Sequence, residues 1–219
     1  MSDVAEVVAA IRKGKPVVLP TDTVYGLVCT PYREEPVRAL AELKGRPPGQ
    51  PIAFLAASVD RLIDCIPELR GRPELVAREL LPGPYTLVVS NPAARFAWLT
   101  GDRPDAIGLR VPAVDGASAE VLEQVRAVAA TSANLHGEPD PRTLGDVPDA
   151  ILGQVAAVLD EGDLPGNPST VLDLTGDEPR VLREGAVPAA EALARVARVL
   201  GYAQDAEPAS ADSASREDP

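Results

Sequence analysis

Aromatic side chains are scarce in this chain, at 3% of its 219 residues. Its core must therefore be built from Val, Leu, Ile and Ala. Histidine occurs once, as His136 beside Gly137 and Pro139. That argues against a Ser-His-Asp triad and against a histidine-based zinc site, and His136 reads as an exposed loop residue. Cys29 and Cys65 form no CxxC pair. They read as reduced, buried, structural thiols of a cytoplasmic protein. No G-x-x-x-x-G-K-[ST] segment is present, and no G-x-G-x-x-G follows a strand-like run, so neither a Walker phosphate loop nor a dinucleotide fingerprint is expected. No apolar run reaches membrane-spanning length. Met1–Lys15 carries Asp3, Glu6, Arg12 and Lys13, so no secretory signal is expected either.

Positive charge is also in short supply. The net charge is −12; the stretch Tyr202–Pro219 contributes −4, and the body keeps −8. A protein built to grip phosphate backbones over a wide area would be basic. A small cationic pocket within an acidic body is compatible with this balance and would focus a compact anion. Apolar content of 45% and charged content of 25% are those of an ordinary globular protein, long enough for a sizeable core.

Hydrophobic spacing predicts helices over Asp3–Lys13, Glu34–Leu43, Ser58–Ile66 (with Ser58 as N-cap), Glu74–Leu81, Ser118–Arg126 and Ala189–Leu200. Strands are predicted over Pro16–Leu19, Pro51–Ala57, Tyr85–Ser90, Ala106–Val111, Ala127–Thr131, Val155–Leu159, Thr170–Leu174 and Val181–Leu182. The elements mix without a strict βαβ rhythm. The expected fold class is therefore α/β (α+β), a mixed twisted sheet with helices packed on it. Residues 1–203 read as one catalytic domain. Residues 204–219, nearly devoid of large apolar side chains, read as a disordered acidic tail.

Polar segments recur at the edges of these elements: Pro20-Thr21-Asp22-Thr23-Val24-Tyr25-Gly26-Leu27, Lys44-Gly45-Arg46-Pro47, Pro82-Gly83-Pro84-Tyr85-Thr86, Gly108-Leu109-Arg110-Val111-Pro112, Thr131-Ser132-Ala133-Asn134, Ser169-Thr170-Val171 and Arg183-Glu184-Gly185. Each has a plain structural reading. Lys44-Gly45 is also what a helix C-terminus looks like, and Arg110 before Val-Pro is not diagnostic alone. Clustered cations at strand ends suit a nucleoside triphosphate. Taken in order, from about residue 5 to about residue 200, the set resembles the YrdC-like family, the threonylcarbamoyl-AMP synthases.

That resemblance implies a concave ligand groove and a nucleotidyl-transfer reaction. L-threonine and bicarbonate form a carbamate that attacks the α-phosphate of ATP; pyrophosphate leaves, and threonylcarbamoyl-AMP results. Other enzymes then modify an adenosine of certain tRNAs with the product. Mg2+ would accompany ATP, held largely by the phosphates. By the same resemblance Lys44 and Arg46 neutralise phosphates, Ser132, Asn134 and Arg183 bind the nucleotide, and Gln50 replaces a family Asn as a nucleotide contact. Arg110 would take the threonine carboxylate in a two-bond fork, with Thr21, Thr131 and Ser169 on the amino acid's polar groups. Leu55 lies where some relatives have a His. Two other readings are a non-enzymatic RNA-binding or ribosome-assembly factor, which the charge of −12 opposes, and a same-fold paralogue with little activity. The intact Lys-x-Arg and Ser-x-Asn pairs oppose the latter.

Overall fold

The computed structural model describes residues 2–201; the expected tail therefore lies outside the described residues. Nine strands form one twisted mixed sheet: β1 (Val17–Pro20), β2 (Tyr25–Cys29), β3 (Ala53–Ala56), β4 (Tyr85–Ser90), β5 (Ala106–Arg110), β6 (Ala127–Ser132), β7 (Ala157–Val158), β8 (Thr170–Asp173) and β9 (Arg180–Arg183). Their spatial order is β7-β1-β2-β6-β3-β5-β4-β8-β9. Pairs β1–β7, β3–β5 and β4–β8 are parallel and the others antiparallel. The helices are α1 (Val4–Arg12), α2 (Glu34–Leu43), α3 (Val59–Cys65), α4 (Arg72–Leu80), α5 (Gly116–Val125), α6 (Asp149–Leu152) and α7 (Ala189–Leu200).

Local chemistry sets the helix ends. Asp3 caps α1 by accepting from Glu6 N at 2.8 Å, and Ser58 caps α3 by accepting from Arg61 N at 3.2 Å. At the end of α2, Gly45 turns into the left-handed region (φ +66°). Gly45 N then donates to Glu42 O and Arg46 N to Ala41 O, each at 2.9 Å, which is a Schellman closure.

Strand alternation sorts the side chains into two cores. Leu27, Phe54, Leu87, Leu109, Ala129 and Leu172 face the larger one, beneath α2, α3, α4 and α7. On the other face, Val17, Leu19, Val28, Leu55 and Val128 pack under α1 and α5. Both helices sit toward the β7–β3 side. The cavity described below lies on the same face, running from the ends of β2, β6 and β3 across β5, β4 and β8.

The segment after Pro20, over which no strand is predicted, is instead the turn and second arm of a hairpin. Tyr25–Cys29 is a central strand buried on both faces, paired with β1 and β6. Burial on both faces erases the polar–apolar alternation that would have marked it. The strand expected over Val155–Leu159 shortens to Ala157–Val158, at the sheet edge.

Candidate active site

A cavity of about 360 Å³ opens on the partly covered sheet face. Its floor is kept low, leaving room above the sheet, by small residues at alternate strand positions: Gly26, Ala53, Ala106, Gly108 and Ala130. Around this floor stand the strand-end side chains.

Arg46, Arg110 and Arg183 all line the cavity. The α2 cap delivers Arg46, whose Nη1 donates to Thr131 Oγ1 at 3.1 Å and Nη2 to Pro51 O at 2.5 Å. Its Nε is buried without a partner. Arg110 closes β5 and is 8% exposed; its Nη2 donates to Thr23 Oγ1 at 2.7 Å and pairs with the Asp22 carboxylate. Its Nε is likewise buried and unpartnered. Arg183 closes β9 and is exposed as a whole residue, but its guanidinium turns inward, donating from Nη2 to Ser169 O at 2.9 Å and Ser169 Oγ at 3.3 Å. Desolvation, then the Arg183 charge, lowers the pKa of Arg46. Desolvation lowers that of Arg183 too; Arg110 lowers it further and Asp140 opposes. Cations have thus been brought together at a cost that an incoming anion would relieve.

Hydroxyls fill the spaces between these cations. Thr21 Oγ1 lies 3.1 Å from Thr23 Oγ1 and donates to Val24 O at 2.7 Å, tightening the hairpin turn. Thr86 Oγ1 and Ser169 Oγ are 2.8 Å apart. Thr170 Oγ1 donates to Val187 O at 2.6 Å and accepts from Gly185 N and Val187 N at 3.1 Å, pinning the loop after Arg183. Gly185 has to be glycine there: a Cβ would sit 2.2 Å from Pro168 O.

Of the residues expected from sequence, Thr21, Arg46, Arg110, Thr131, Ser132, Ser169 and Arg183 come together on the cavity wall. Lys44 and Asn134 stand behind that wall rather than on it. Lys44 is 3% exposed and its Nζ is given to Ser132 O (2.8 Å), Ser132 Oγ (3.3 Å), Asn134 O (2.9 Å) and Asn134 Oδ1. Burial, then the Arg46 charge, lowers the Lys44 pKa to about 8. Gln50 is exposed and is not among the lining residues. Asp22, Thr23, Thr86, Arg103 and Asp140 were not anticipated. Asp22, Thr23 and Thr86 lay inside motifs whose neighbours drew attention, whereas Arg103 and Asp140 carried no signal. Arg103 is neutralised by Asp173 at 3.1 Å. His136 is exposed, as expected. Cys29 is buried and its thiol pushed up to about 12 by desolvation, as suits a structural thiol.

The fold and this wall define a class: an α/β protein with a cationic, hydroxyl-rich groove on its mixed sheet. The Sua5–YciO–YrdC family model, described as telomere recombination, matches residues 9–185. The chain belongs to this family. It is 35% identical over 192 residues to threonylcarbamoyl-AMP synthase of Pyrococcus abyssi, covering 87% of this chain and 55% of that protein. Against the enzyme of the same name from Xanthomonas campestris, identity is 32% over 160 residues, covering 72% of this chain and 85% of the other. The crystal structure of P. abyssi Sua5 complexed with L-threonine superposes with a TM-score of 0.81 at 34% identity, over 90% of this chain and 57% of that one. The chain thus spans little more than half of the Pyrococcus protein.

Proposed function

We propose that this chain is a threonylcarbamoyl-AMP synthase, a nucleotidyltransferase that binds ATP, L-threonine and bicarbonate. The observation that carries this reading is the convergence of Arg46, Arg110 and Arg183 on one cavity, where desolvation lowers the pKa of Arg46 and of Arg183 and an incoming anion would relieve that cost. The relatives' names and the threonine complex of a structural neighbour support the choice of substrate.

Arg46 and Arg183 neutralise the triphosphate, with Ser132 Oγ as a compact partner on the same side. Lys44 serves the nucleotide indirectly, by clamping Ser132 and Asn134. Arg110 takes the threonine carboxylate. Thr21, Thr131 and Ser169 meet its remaining polar groups, and Thr86 orients the Ser169 hydroxyl. The threonine amine and bicarbonate yield a carbamate and water. A carbamate oxygen then attacks the α-phosphate and pyrophosphate departs. The chain's contribution is placement and charge neutralisation, since the wall is built of cations and hydroxyls.

The described residues contain no cluster of three or more His, Cys, Asp or Glu side chains placed for a metal. Asp140 is the single carboxylate among the described lining residues. This donor set fits Mg2+ arriving on the triphosphate, which needs few protein carboxylates. Bound there, the ion would neutralise phosphate charge, with Asp140 as its protein ligand. Among the described residues no helix is long and apolar enough to cross a membrane. We place the protein in the cytoplasm, where its nucleotide and the tRNA-modifying enzymes that consume its product are found.

The test is incubation of the purified protein with ATP, magnesium, bicarbonate and L-threonine. Pyrophosphate release should require both threonine and bicarbonate. Equal release with threonine omitted would replace this reading with that of a simple ATPase.

A further inference from the structure

Asp22 has no role in the account so far, yet it is the carboxylate paired with Arg110. It lies in the turn between β1 and β2, and its side chain is only 8% exposed. One oxygen pairs with Arg110 Nη2; the other accepts from Ala113 N at 3.0 Å. The carboxylate therefore bridges the hairpin turn to the far end of β5 and to the chain that follows it. Thr23, from the same turn, takes the second bond to Nη2. Two acceptors from one turn thus fix one end of the guanidinium. Arg110 Nε is left buried and without a partner.

Three uses can be weighed for such a carboxylate. As a proton acceptor for the substrate amine it is poorly suited, because both of its oxygens are already engaged, one by Arg110 Nη2 and the other by Ala113 N. As a placeholder for the substrate carboxylate it would need to be released when substrate enters. Its second oxygen is held by a backbone N–H, and that bond does not depend on Arg110. The remaining use is to aim the guanidinium. An arginine offers donors in a rigid fork, so fixing Nη2 fixes the direction of Nε.

We infer that Asp22 is a positioning residue for the amino-acid carboxylate: it holds Arg110 by Nη2 so that Nε stays free to donate to the ligand. The inference rests on the reading of Arg110 as the threonine anchor. It also predicts that Asn will not serve at this position. A carboxylate has an acceptor oxygen for each of its two donors, whereas an amide has only one, so Asn must give up either Arg110 or Ala113.

The test is calorimetric titration of the full chain with L-threonine and, separately, with a non-hydrolysable ATP analogue, for Asp22→Asn, Thr23→Val and Arg110→Lys. Asp22→Asn should weaken threonine about tenfold, the order expected for loss of one charge-assisted bond. The analogue should change by no more than about twofold, since Asp22 bonds no residue of the nucleotide side. Thr23→Val removes the lesser partner of Nη2; it should follow in the same direction by a smaller factor and covers the case in which Asp22→Asn does not fold. Unchanged or tighter threonine binding in both turn variants would overturn the inference, tighter binding showing a competitor rather than a positioner. Equal weakening of both ligands would overturn it in favour of a purely structural bond. If Arg110→Lys binds threonine normally, the carboxylate reading of Arg110 falls, and this inference falls with it. Weakening in Arg110→Lys alone removes only the role of Asp22.

Discussion

Replacing Lys44 with Met separates what a buried cation costs from what it organises. The ammonium makes two bonds shorter than 3 Å to backbone oxygens, Ser132 O at 2.8 Å and Asn134 O at 2.9 Å. Bonds involving a charged group contribute about 1.5–3 kcal/mol each, so their loss costs about 3–6 kcal/mol. Set against this is the penalty for keeping the amine charged inside the protein. Its pKa falls from 10.5 to about 8, which corresponds to about 3 kcal/mol at 1.36 kcal/mol per unit. Met fills similar volume without that penalty, so at pH 7 the variant should lose only about 0–3 kcal/mol of stability. The pH dependence is more telling. The folded pKa lies below the unfolded one, so between pH 8 and 10.5 the unfolded chain binds more protons at this site. Stability of the native chain relative to Lys44→Met should therefore rise with pH, by about 2–3 kcal/mol between pH 7 and pH 10. Denaturant unfolding of both proteins at the two pH values measures this, because groups common to both cancel. In parallel, affinity for a non-hydrolysable ATP analogue should drop at least about tenfold, since Ser132 and Asn134 lose their clamp. A stability difference that is flat in pH would refute the buried-cation argument. Unaltered analogue affinity would refute the claim that the clamp serves the nucleotide.

The remaining predictions are simpler. Arg46→Ala should raise the KM for ATP by about tenfold or more while that for threonine moves within about threefold, as steady-state pyrophosphate release will show; a larger change for threonine would put Arg46 on the other ligand. Gly185→Ala should lower Tm by about 4–8 °C, the equivalent of about 2 kcal/mol in a chain of this size, because its Cβ would meet Pro168 O at 2.2 Å. A thermal scan that matches the parent would show that this loop moves aside freely.

Why some of this could be read in the sequence, and some could not, follows from the range of the interactions. Tyr85–Ser90 and Ala189–Leu200 form with the bounds their spacing predicts, because one face of each is polar or exposed and the period survives. Tyr25–Cys29 has no polar face, so only its neighbours β1 and β6 make it a strand. Lys44-Gly45-Arg46 could be taken for a helix cap or for a ligand site, and it is both. The left-handed turn at Gly45 is the device that sends Lys44 into the interior and Arg46 onto the cavity wall. Which of the two cations meets the ligand wall is decided by Ser132 and Asn134, far along the chain, and no local pattern carries that information. The same holds for Asp22. Its motif stood out, but its partner Arg110 is 88 positions away and becomes a neighbour only when β5 is set beside β3 with Arg110 opposite Leu55. Residue types at strand ends were therefore legible as a site, whereas the division of labour among them depends on sheet order, which this chain writes as β7-β1-β2-β6-β3-β5-β4-β8-β9 and which periodicity alone does not encode.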